Sequence, residues 1–143
     1  MIFLPDLILT VFYAAFGILL MIVSNIVMDF FIPGNFAEEI RRGNRAVAWL
    51  SAGSFIGIGE ILRAVILSPA YDSMTTDFVQ GVAASAVYAA VGIFFFIIGF
   101  FIINAWHRKY ALAEEIKRGN TAAGIFVFGI FVGLSLVISG AVH

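Results

Sequence analysis

Four stretches of this chain are long and apolar enough to cross a membrane: about Leu7–Ile32, Ala46–Leu67, Phe78–Ile103 and Thr121–Val142. Inside a bilayer no water is available to pair with backbone N–H and C=O groups, so a spanning segment must satisfy its own, and a helix does so. A hydrocarbon core of about 30 Å takes roughly 20 residues at ~1.5 Å each. None of the four alternates like the strand of a membrane barrel. The expected fold is therefore all-α, an integral membrane protein of four helices. Composition points the same way: 62% of the residues are hydrophobic and 12% charged, with a mean hydropathy of +1.07. Soluble domains hold about 45–50% and about 25%.

The breaks between spans are chemically marked. Pro33-Gly34-Asn35 ends the first and Ser68-Pro69 the second. Gly43-Asn44 and Gly119-Asn120 precede spans two and four. There a glycine suits the left-handed position after a helix, and an asparagine suits the cap of the next. The apolar run at the N-terminus has no basic residues ahead of it and outlasts the core of a cleavable signal.

Lysine and arginine predict the orientation. Arg41, Arg42 and Arg45 lie between spans one and two, and Arg108, Lys109, Lys117 and Arg118 between spans three and four. Only Arg63, of the eight basic residues, falls elsewhere. By the positive-inside rule the first and third connections are cytoplasmic and both termini lie outside.

The chain also repeats itself. Ala37-Glu38-Glu39-Ile40-Arg41-Arg42-Gly43-Asn44 returns as Ala113-Glu114-Glu115-Ile116-Lys117-Arg118-Gly119-Asn120, and 11 of 30 positions are identical without a gap over residues 37–66 and 113–142. Asp29 falls opposite Asn104 in the same comparison. Each unit holds an even number of spans, so the copies are expected to be parallel, related by an axis along the membrane normal. The units are residues 1–67 and 78–143, joined by an outer connection over 68–77.

This duplicated pattern, a helix, then A-E-E-I-[RK]-R-G-N, then a helix carrying G-x-F-x-G, resembles the YjfL-like membrane proteins, the domain of unknown function 350. The resemblance covers nearly the whole chain. It implies a bacterial or archaeal inner-membrane protein and brings no catalytic residues with it.

Several groups of residues are candidates for function. Glu38 stands four residues before Arg42 and Glu114 four before Arg118, the favourable order for helical ion pairs, and Asn35 with Glu38 could form a capping box. With Glu39, Glu115 and Lys117, these residues read as two charged turns at the membrane surface, able to meet lipid headgroups or a partner. Gly53 with Gly57, and Gly129 with Gly133, place small residues four apart for close helix packing, within the bundle or between subunits. Ser85, Gly92 and Gly99 form a further stripe on span three. Glu60 and Arg63 share one face of span two in its outer half, where their counterparts are Leu136 and Ser139. Charged residues inside a membrane face protein or water. Either they pair with each other, or they line a polar path that Asp29 and Asn25 extend.

Other classes find no support. His107 and His143 are expected on opposite membrane faces and cannot share a metal, and no catalytic set or phosphate-binding loop appears. Net charge is −1, which gives no field for nucleic acid. No cofactor or metal is expected. The expected function is a non-enzymatic membrane scaffold or accessory subunit, self-associating or joined to other membrane subunits. The alternative is a small ion channel or ion-coupled transporter that uses Glu60, Arg63 and Asp29.

Overall fold

The computed structural model describes residues 3–32, 34–68, 76–106, 109 and 111–142. They form six helices and no strand: α1 (Phe3–Phe31), α2 (Phe36–Arg41), α3 (Arg45–Ile66), α4 (Thr76–Trp106), α5 (Leu112–Lys117) and α6 (Thr121–Ala141). The four long ones, α1, α3, α4 and α6, are each long and apolar enough to cross a membrane. Most of the outer connection lies outside the described residues, as do Pro33, His107, Arg108 and His143.

The sequence of α3 explains its central place. It is the least apolar of the four, yet 56% of its most hydropathic window is buried, against 11% for α1, 22% for α4 and 28% for α6. Its buried side is rich in small residues (Ala46, Ser51, Gly53, Ser54, Gly57 and Ala64). In lipid, where apolar side chains gain little by leaving their surroundings, small residues draw helices together by letting backbones approach. Helix α3 packs most extensively along α6, then against α4 and α1.

The approach is closest where glycines meet backbone. A Cβ on Gly124 would lie 2.5 Å from Ala46 Cα, and one on Gly53 would lie 2.8 Å from Phe128 Cα. Against α4, a Cβ on Gly57 would meet the Phe96 ring at 2.5 Å and one on Gly92 would meet Ile61 Cδ1 at 2.5 Å. The successive contacts of α3 with α6 rise together along both helices, so the two are parallel, while α4 and α1 run antiparallel to α3. Gly129 and Gly133 behave differently from Gly53 and Gly57: among the described residues no atom lies within 4 Å of a Cβ placed on either. The side of α6 that faces α3 carries Gly124, Phe128 and Phe131, which turns the Gly129–Gly133 side outward.

Aromatic rings fill the larger gaps. Phe96 and Phe131 stack with centroids 4.9 Å apart, and Trp49 meets Phe128 edge-on at 5.2 Å. Between α1 and α3 the buried hydroxyls of Ser24 and Ser54 bond to each other at 2.9 Å.

Candidate functional site

Two places gather polar chemistry. The first is the pair of turns that join the helices at the end where α3 and α6 begin. Gly43 and Gly119 adopt φ of +82° and +80°, the left-handed turn that glycine makes without strain. Asn44 and Asn120 follow as caps. The Asn44 carboxamide oxygen accepts from the N–H groups of Ala46 at 3.0 Å and Val47 at 3.2 Å, and that of Asn120 accepts from Ala122 at 3.1 Å. Each amide also donates to the acidic side chain behind it, Asn44 to Glu39 at 2.8 Å and Asn120 to Glu115 at 2.8 Å.

The short helices α2 and α5 are pinned from the preceding spans. Asp29 accepts from the Phe36 N–H at 2.9 Å, and Asn104 accepts from the Ala113 N–H at 3.2 Å. Asp29 therefore serves as a helix-start acceptor, a role its seven-residue separation from Phe36 had concealed. Asn35 accepts from the Glu38 N–H at 3.1 Å, half of a capping box. The Glu38 carboxylate turns instead to Arg42 at 3.2 Å and Arg41 at 3.6 Å. In α5 the pairing differs from the one expected of Glu114 with Arg118. Glu114 meets Lys117 at 3.9 Å and Glu115 meets Arg118 at 3.5 Å. These pairs are mostly exposed, and exposed pairs contribute about 0–1 kcal/mol.

One contact ties the two turns together. Asn44 is 7% exposed, and its amide also donates to the carbonyls of Ile116 at 2.9 Å and Lys117 at 3.4 Å. These carbonyls close the last turn of α5, and that of Ile116 also accepts from the Gly119 N–H at 3.0 Å. The exposed Asn120 makes no such bond among the described residues.

The second place lies within the spans. Arg63 donates to Glu60 through Nε at 2.9 Å and Nη2 at 2.7 Å, a two-pronged pair. Ser139 of α6 donates to the same carboxylate at 3.0 Å. The Arg63 side chain is 61% exposed and reaches along an open groove of about 390 Å³ between α1 and α3, where Gly17, Met21, Gly59 and Leu62 lie. The pair is thus satisfied internally and clasps α3 to α6. Asn25 stands apart from it: its carboxamide oxygen, like the hydroxyls of Ser51 and Ser85, is buried without a partner among the described residues. No group of three or more potential metal ligands occurs among the described residues.

Comparison with known proteins gives a family and two relatives. Residues 1–142 match the family model described as Domain of Unknown Function (DUF350). The UPF0719 transmembrane protein YshE of Bacillus subtilis (strain 168) is 29% identical over 105 residues, 73% of this chain and 71% of the relative. A UPF0719 transmembrane protein of Aquifex aeolicus (strain VF5) is 20% identical over 135 residues, 94% of this chain. The match takes in 49% of that relative, so the chain spans about half its length. No solved structure matches.

Proposed function

This chain belongs to the family described as Domain of Unknown Function (DUF350), and from that footing we propose a non-enzymatic membrane scaffold or accessory subunit within a larger membrane assembly. The observation that carries this reading is how the ionisable groups inside the spans are engaged. Glu60 and Arg63 hold each other and Ser139, and Asp29 holds the start of α2. With those groups occupied, the remaining outward faces are apolar, and they suit lipid or the helices of another subunit. In this reading the two like hairpins stand parallel about an axis along the membrane normal. The basic turns are cytoplasmic, both termini lie outside, and the membrane is the plasma membrane of a bacterium or archaeon.

Two measurements test it. Purified protein in liposomes should release trapped ions no faster than empty liposomes. Ion flux that disappears in Glu60→Leu with Arg63→Ser, while assembly persists, would overturn the reading. Tags at the two termini should be cut by protease added outside intact cells, and a protected tag would reverse the orientation.

One observation favours the alternative of a small channel or ion-coupled transporter. The buried oxygens of Asn25, Ser51 and Ser85 have no partner among the described residues, and such groups in a membrane are costly unless water or an ion meets them. The same flux measurement decides between the two.

A further inference from the structure

Helices α3 and α6 do not meet through matching sides. The side of α3 carrying Asn44, Ala46, Gly53 and Gly57 rests on a different side of α6, carrying Gly124, Phe128 and Phe131. The sequence duplication gives each side a counterpart. Asn120, Ala122, Gly129 and Gly133 on α6 repeat the first side, and Ala48, Ala52 and Phe55 on α3 repeat the second.

Both counterparts are largely exposed. Ala46 and Leu50 are 0% exposed, whereas Ala122 is exposed and Phe126 is 45% exposed. Among the described residues nothing lies within 4 Å of a Cβ on Gly129 or Gly133. A cavity of about 460 Å³ opens beside Asn120, Ala122 and Phe126, and the equivalent space beside Asn44 is filled by α5 and α6. On α3, Ala48 is exposed, Phe55 is 36% exposed, and Ile40 near the end of α2 is 45% exposed.

We infer that a second copy of this chain docks here, head to tail, with α6 of one copy on α3 of the next. The Asn120 amide then donates to the Ile40 carbonyl of the neighbour as Asn44 donates to Ile116 within the chain. The new contact is continuous with the α3–α6 interface and repeats it, a heterologous association in which the two partners present different surfaces. It is looser than its template. Ala48 stands where the template has Gly124, and Leu136 faces Arg63 where the template joins Glu60 to Ser139. This deepens the scaffold reading by naming the partner, and rests on it only in taking the open apolar faces as protein-binding.

The chain has no cysteine, so introduced thiols report alone. Ala48→Cys and Ala122→Cys, carried by two differently tagged copies and oxidised in native membranes, should give a disulfide-linked dimer bearing both tags. Ala122→Cys alone, or paired with Ile8→Cys on α1, should give none. No mixed dimer from the 48–122 pair, or equal yield from Ala122→Cys alone, would overturn the inference. Gly129→Leu with Gly133→Leu alters positions at which an added Cβ would meet no other described residue. It should leave the amount of folded protein unchanged and lower the mixed dimer by about tenfold or more. A dimer that persists in that variant would also overturn the inference. The failures are separable: ion flux with the dimer intact removes the scaffold reading and leaves this contact, and no dimer with no flux does the reverse.

Discussion

The turns that launch α3 and α6 are near copies, yet the two helices end in different company. Both open on a left-handed glycine and an asparagine cap that also binds a glutamate. Asn44 goes on to lock the far turn by its carbonyls and is buried, while Asn120 faces out. The difference separates two kinds of instruction. A cap is written in four or five consecutive residues and forms wherever they occur. What the cap then touches depends on which side of the following helix finds a neighbour.

The largest effects come from forcing the two sides apart. Gly124→Leu drives a side chain into the Ala46 backbone, which cannot yield as a flexible side chain could. It should destabilise the protein by about 3 kcal/mol or more, an overpacking cost, read as the unfolding midpoint in detergent. Gly129→Leu, with open space around it, should leave that midpoint within about 0.5 kcal/mol. Equal losses at both positions would mean that the two sides are not distinct. Asn44→Ala should follow at about 2 kcal/mol, since it removes a cap and also the bonds that tie it to the Ile116 and Lys117 carbonyls of α5. Asn120→Ala removes the cap and the exposed bond to Glu115 but no bond to the other turn, and should cost about 1 kcal/mol.

How much of this was legible in the sequence follows the same division. The spans, the left-handed Gly43 and Gly119 and the caps at Asn44 and Asn120 are local or depend only on length, and they are where the residues place them. The rotation of α6 was not legible. The spacing of Gly129 and Gly133 matches that of Gly53 and Gly57, but the close approach falls on Gly124, which has no glycine four residues away. The bond from Ser139 to Glu60 left a trace, because a polar residue stands opposite Arg63 in the repeat. That bond predicts the next effect. Glu60→Leu alone leaves Arg63 and Ser139 without their acceptor and should cost roughly 1–2 kcal/mol. Adding Arg63→Ser reproduces the residues α6 carries and should recover most of that loss. A double variant as unstable as the single would show that the clasp, and not the stranded charge, is what matters.

The smallest effect tests the point at which the hairpins differ by one atom. Asp29 and Asn104 occupy aligned positions, and each accepts from the first N–H groups of the short helix that follows. A carboxamide oxygen already performs this task in the second hairpin, at 3.2 Å where the carboxylate stands at 2.9 Å. Asp29→Asn keeps an acceptor of the same size and loses only the charge. If the charge serves the cap, the loss is that of a somewhat weaker bond, about 0.5 kcal/mol, with no change in how the protein behaves in liposomes. If the charge serves an ion path, the same variant leaves stability alone and removes a flux. The two hairpins are interchangeable at this position only in the first case, because the second already runs on the uncharged side chain.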